Sequence, residues 1–164
     1  MRTIIHDLTK NDIKSIEFNK DNKILSSINC KNNCIGCFSC WIKHPKNCIF
    51  NDEFSNITDS LKSSDELVII SKCRYGCYGS ETKRVLERCI GYVLPYFTIR
   101  NNEVHHESRY SKMLKFTTYF YGDITEEDKK AIEILVKANA INLNARDYEI
   151  NYIRDIKEIK KCIH

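Results

Sequence analysis

The chain alternates between two hydrophobic rhythms. Short β-branched or aromatic runs predict five strands, over residues 3–8, 23–28, 66–71, 114–121 and 148–153. The third reads Glu-Leu-Val-Ile-Ile-Ser and is almost continuously apolar, the pattern of a parallel strand buried on both faces. Apolar positions three and four apart predict the helices between them. Phe54, Ile57 and Leu61 form one stripe ahead of the third strand, and Ser80 caps a helix running through Val85, Leu86 and Cys89. Thr125 and Asp128 make a capping box, with Asp in place of the usual Glu, before a helix that buries Ala131, Ile132, Leu135 and Ala138. Ile156, Ile159 and Ile163 make a last short amphipathic helix. Strand and helix in alternation predict an α/β sandwich on a mainly parallel sheet, with residues 1–164 as one domain.

Two places break this rhythm. Residues 95–100 and 103–106 flank Asn101-Asn102, a two-residue turn that predicts an inserted β-hairpin. Only fourteen residues separate Leu8 from Lys23, too few for a full crossover helix, so the first βα unit is expected to be eroded.

Composition narrows the function classes. With 42% hydrophobic and 29% charged residues, the 164-residue chain is neither disordered nor of low complexity. No apolar run is long enough to span a bilayer, and the opening residues lack the apolar stretch of an export signal; a soluble cytoplasmic protein with no membrane partner is expected. The formal net charge of +4 is spread along the chain without a basic block, so no nucleic-acid partner is expected.

Nine cysteines change the picture more. The number is odd, and five of them (Cys30, Cys34, Cys37, Cys40 and Cys48) fall within nineteen residues. In a reducing compartment such clustering points to metal or redox chemistry and away from a disulfide framework. The spacing C-x3-C-x2-C-x2-C-x7-C nominates Cys34, Cys37, Cys40 and Cys48 as ligands of a 4Fe-4S cluster, with Cys30 spare. A four-thiolate zinc site and simple packing thiols are the alternatives.

In an open parallel sheet, ligands bind outside the carboxyl ends of the strands. The segment after the buried third strand is Ser71, Lys72, Cys73, Arg74, Tyr75, Gly76, Cys77, Tyr78, Gly79 and Ser80, followed by Lys83. Its glycines permit close backbone approach, its tyrosines offer flat faces, and the next helix begins there; residues 72–88 carry five basic side chains against two acidic ones. That combination suits a planar, anionic, partly aromatic ligand, while an ordinary connection with a surface tyrosine is the plain alternative.

Residues 71–88 resemble the loop and helix that hold the isoalloxazine ring in the NADPH-dependent FMN reductase and iron–sulfur flavoprotein group, a pattern near S-P-x-Y-x-G-x-x-S-x-x-x-K-x-x-x-D-R. Tyr75, Ser80, Lys83 and Arg88 match it, with Lys72 replacing the usual Pro and Glu87 the usual Asp. Residues 34–41 resemble that group's C-x-G-C-x-x-C segment, and Cys48 to Asp52 its C-x-x-x-D. Residues 103–110, with the pair His105-His106 and Arg109-Tyr110, are similar to a flavodoxin-family variant. The resemblance implies a flavodoxin-like, doubly wound five-stranded parallel sheet in the order 2-1-3-4-5. It implies FMN as cofactor, NAD(P)H or a reduced carrier as electron donor, a small-molecule or protein electron acceptor, and a homodimer. One of His105 and His106 is then a candidate proton donor, since neighbours on a strand face opposite ways.

The sequence departs from that group after its first strand. Members bind the FMN phosphate there with a Ser/Thr- and Gly-rich loop, whereas this chain reads His6-Asp7-Leu8-Thr9-Lys10-Asn11-Asp12, with no glycine and two carboxylates. Thr9 and Lys10 are the residues left to hold a phosphate. An FMN-free binding or regulatory module, sensing redox or metal through its thiols, is therefore the competing expectation.

Overall fold

The computed structural model describes residues 1–161, so Ile163, part of the predicted terminal helix, lies outside the described residues. Five parallel strands form one sheet: β1 (Arg2–His6), β2 (Lys23–Ser26), β3 (Glu66–Lys72), β6 (Lys115–Tyr121) and β7 (Asp147–Ile153), in the order β2-β1-β3-β6-β7. Among the parallel strands alone this is the expected order 2-1-3-4-5. The hairpin forms a separate antiparallel sheet of β4 (Val93–Arg100) and β5 (Glu103–Ser108), turning at Asn101 and Asn102 with φ of 51° and 64°. It is longer at both ends than residues 95–106, and its register shifts between Val93 and Phe97, around Pro95, which has no N–H to pair.

The central strands divide their side chains between two faces. Ile5, Leu67, Ile69, Phe116 and Phe120 pack beneath α2 (Ile57–Ser63), α3 (Ser80–Glu87) and α4 (Glu126–Asn142). Ile4, Val68, Ile70 and Tyr119 face the other way, under Ile16 and Ile159. That second face has thin cover. The helix α1 (Lys10–Lys14) is five residues long and buries none of them, so the first crossover is as reduced as the residue count implied.

Several element boundaries differ from the sequence reading. Residues 27–29 leave β2 as a 3-10 turn, and α3 stops at Glu87, where Arg88–Tyr92 tightens into a 3-10 helix. The terminal segment Ile156–Lys161 is likewise 3-10. The capping box at Thr125 and Asp128 forms as expected, but α4 buries Ile132, Val136 and Ala140, with Ala131 and Ala138 left exposed. Ile132, Val136 and Ala140 form an i, i+4 stripe toward the core, with Leu135 half-buried beside it.

Candidate functional site

The crossover direction changes between β1 and β3, and hydrogen-bond donors from the carboxyl ends of β3 and β6 converge beside the end of β1. All of them find a carboxylate belonging to the chain itself. Asp7, just past β1, accepts from the Ser71 hydroxyl (2.8 Å), the Lys72 amide (2.9 Å) and the Tyr121 hydroxyl (3.0 Å). Ser71 Oγ in turn accepts from the Gly79 amide at 2.9 Å, tying the start of α3 to the same network. A Cβ on Gly79 would lie 3.0 Å from the Asp7 carboxylate, so this close approach needs glycine. Burial pushes the Asp7 carboxyl up, and its three donors pull against that shift. Tyr121 is pushed up as well, by burial first and then by the Asp7 charge.

Residues 73–79 close on themselves. Arg74 and Cys77 exchange backbone hydrogen bonds at 2.8 and 3.1 Å, and Tyr75 and Gly76 between them have φ of 52° and 67°. This is a tight turn of the kind that joins hairpin strands. Gly76 packs so near α4 that a Cβ there would fall 2.6 Å from that of Ala131. The turn holds Tyr75 out at the sheet edge, 99% exposed, with a free ring. Lys72, Arg74, Ser80 and Lys83 are also exposed along this edge.

Three of the expected ligand contacts turn inward, among them Ser71, which is fully buried with its hydroxyl on Asp7. Tyr78 is buried, its ring stacked on Phe120 at 5.1 Å and its hydroxyl facing Asn139, so it offers no face to a ligand. Cys73 is buried too, and burial pushes its thiol up. The alternation that exposes Tyr75 turns Tyr78 inward, which Gly76 and Gly79 concealed in the sequence.

Thr9 does not stand open to a ligand. Its hydroxyl donates to Asp12 at 2.6 Å and its amide to the same oxygen at 3.3 Å, while the Asp12 amide donates back to the Thr9 hydroxyl at 3.3 Å. This capping box places a carboxylate where the group resembled here would place the FMN phosphate. The residues after β1 do not fit a phosphate.

The cysteine loop lies against α3, anchored by Trp41, whose indole donates to the carbonyls of Ile90 (3.1 Å) and Val93 (3.0 Å). Cys34, Cys37, Cys40 and Cys48 wall one small enclosed cavity of about 20 Å³, together with Arg88. Burial pushes the Cys40 thiol up, and the proximity of Cys34, Cys48 and Cys37 adds to the shift. Arg88 is fully buried, paired with Asp52 through two bonds of 2.7 Å, and its Nη1 lies 3.5 Å from Cys30 Sγ. Burial works against its charge, but the bonds to Asp52, Cys30 and Cys48 outweigh that and hold it above its ordinary range. The Arg88 Nε, also buried, has no partner. This ion pair was missed in the sequence, although both of its members sit in the motifs that carry the resemblance.

Among the described residues, no group of three or more His, Cys, Asp or Glu is placed to hold a metal ion. Four thiols and a buried guanidinium stand around the small cavity of the cysteine loop. The space between them does not admit a cubane unless the loop opens.

His105 and His106 face opposite ways, as expected, but neither meets residues 71–80. His105 bridges Asn142 (3.0 Å) and Glu103 (3.1 Å). The His106 ring lies between Trp41 and Phe97, at 4.9 and 4.8 Å, with a buried Nδ1 that has no partner. It lines an apolar cleft of about 620 Å³ with Cys34, Leu86, Ile90, Val93 and Asn142. No residue of the 71–80 loop contributes to that cleft.

The whole chain superposes on solved reductases. An FMN-dependent NADH-azoreductase from Bacillus anthracis, in complex with FMN, matches over 99% of this chain and 94% of its own, at 15% identity and a TM-score of 0.51. An NAD(P)H:quinone oxidoreductase from Methanothermobacter marburgensis matches over 97% and 92%, at 10% identity and a TM-score of 0.59. The fold is flavodoxin-like. No protein-family model and no curated protein matches the sequence, so the likeness lies in the backbone. Among the described residues, no helix is long and apolar enough to cross a membrane.

Proposed function

We propose that this chain is a flavin-dependent oxidoreductase that binds the isoalloxazine ring against the turn of residues 73–79. The observation that carries this reading is Tyr75. A large aromatic ring held fully exposed by a strained two-residue turn, at the carboxyl edge of an open parallel sheet, has no structural task of its own. The flanking Arg74 and Lys83 suit the electron-rich edge of a reduced flavin, and the backbone of the turn fixes where the tyrosine stands. Flavin supplies electron and hydride transfer, and the protein contributes position and electrostatics. NAD(P)H as donor and a small or protein acceptor complete the proposed reaction. The similar solved reductases support it at the level of the fold.

Binding of riboflavin, followed by quenching of its fluorescence, is expected to weaken by about tenfold or more when Tyr75→Ala is combined with Lys83→Ala, in keeping with the worth of one aromatic stack. Unchanged affinity would place the ring elsewhere.

The proposal extends to the cysteine loop, where Cys34, Cys37, Cys40 and Cys48 are assigned to a 4Fe-4S cluster with the buried Arg88 as its counter-charge; the assignment requires the loop to part beyond the space of about 20 Å³ that the four thiols now enclose. Iron and sulfide analysis of anaerobically prepared protein is the check: Cys37→Ser is expected to remove the metal, and full iron retention in that variant would defeat the assignment. A homodimer is proposed through the apolar face that the cysteine loop and hairpin leave open, where Ile42, Ile99 and Val104 are each about 70% exposed or more.

A second reading has one observation in its favour. The filled loop after β1 suits a flavin-free module that uses the fold for binding or regulation. Failure of riboflavin to bind at any concentration would select it.

A further inference from the structure

We infer that the loop after β1 refuses a phosphate group, and that the flavin taken by this chain is the unphosphorylated, riboflavin-type molecule, held by its ring and not by an anchored phosphate. The inference rests on the flavin reading above and concerns the same site.

Its ground is a count of donors. A phosphate site at a β-strand end is built from backbone N–H groups that have no partner within the chain. Of the seven amides in residues 7–13, five are already engaged: Asp7 to the Ile70 carbonyl (3.2 Å), Leu8 to His6 Nδ1 (3.2 Å), Thr9 to Asp12, Asp12 to Thr9, and Ile13 to the Thr9 carbonyl (3.1 Å). The Thr9 hydroxyl points at Asp12 as well. The side-chain and backbone donors on the neighbouring strands, from Ser71, Lys72 and Tyr121, end on Asp7. The chain has thus installed two carboxylates of its own at the place where the fold gathers donors for an anion.

Charge and geometry agree. A phosphate carries close to two negative charges and would have to displace Asp12 from its cap while standing beside Asp7. Asp7 accepts from the Tyr121 hydroxyl, and Asp12 caps the helix that begins three residues after Asp7. No glycine occurs in residues 7–15 to let the backbone fold around a phosphate, and α1, at five residues, adds little dipole. The network meets the turn of residues 73–79 only at its last residue, where the Gly79 amide donates to Ser71 and approaches Asp7, so Tyr75 at the head of the turn stands clear of it.

Two titrations on the purified full chain test this together. In the first, riboflavin and FMN are compared by fluorescence quenching. Riboflavin is expected to bind as tightly as FMN or more so, and Asp12→Ser, which keeps the Thr9 cap and removes the charge, is expected to tighten FMN about tenfold while leaving riboflavin unchanged. FMN binding about tenfold tighter than riboflavin in the unaltered protein would overturn the inference. In the second, inorganic phosphate is titrated while the amide resonances of residues 8–12 are followed by NMR. No saturating shift is expected in the unaltered protein, and a shift is expected in Asp12→Ser with Asp7→Asn. Saturating shifts in the unaltered protein would overturn the inference whether or not any flavin binds. If neither flavin binds, the flavin reading fails and the phosphate titration alone decides on the loop.

Discussion

Asp52→Ala is expected to destabilise the fold by about 3–5 kcal/mol, as for removal of one partner of a buried ion pair. The guanidinium it would abandon is fully buried, with a cation–π contact to Phe50 at 5.4 Å and to Phe54 at 5.8 Å. Asp52 also accepts from Asn32 and from the Phe54 amide, so it joins the cysteine loop to the end of α3 and to the start of α2. Denaturant unfolding measures the loss. Arg88→Met with Asp52→Leu, which removes both charges and keeps volume, is expected to recover most of it. A loss below about 1 kcal/mol in the single variant would mean that solvent reaches the guanidinium. The Asp52 carboxyl is held low, chiefly by the Arg88 hydrogen bonds, so its contribution is present above its unfolded value and fades as pH falls through the lower folded one.

Acid weakens the protein by a second route. His6 is buried at the end of β1, and burial pushes its pKa from 6.5 down to about 4. The folded state keeps the imidazole neutral while the unfolded chain takes up a proton, so stability is intact above about pH 6.5, declines between 6.5 and 4, and levels off below. The loss across that window is about 3 kcal/mol. Asp7 acts in the opposite sense, because burial raises its pKa and the folded state then binds the proton more readily as pH falls. His6→Asn, which retains an acceptor for the Leu8 amide, isolates the imidazole. The fall in Tm from pH 7 to pH 4.5 is expected to shrink in this variant, and an equal fall in both proteins would show that His6 already carries a proton in the folded state.

Most of the fold was legible because its signals are local. The β-branched run of β3 and the two asparagines of the hairpin turn each fix their own conformation. The capping boxes at Thr9 and Thr125 are local in the same way, though only the second was read from the sequence. The strand order came from resemblance and agrees with the sheet observed. Less of the candidate site could be read. Nothing local to Tyr78 distinguishes a core ring from a ligand-facing one; its fate depends on Phe120, forty-two positions away. The bond from Tyr121 to Asp7 spans 114 positions, and the Arg88–Asp52 pair spans 36. His106 is a candidate proton donor only through the resemblance of residues 103–110, whereas the hairpin carries it to the cysteine loop. Long-range pairing of polar side chains leaves no periodic trace, and the chemistry of this edge is made of such pairs.

The central claim is that a flavin ring lies against residues 73–79. Riboflavin titrated into the isotopically labelled protein, with every backbone amide followed by NMR, tests it most directly. The account predicts saturating shifts concentrated in residues 71–80 and in the neighbouring segment 121–125, with residues 8–12 undisturbed. Shifts centred on Leu86, Ile90 and His106, or none at saturating riboflavin, would contradict it.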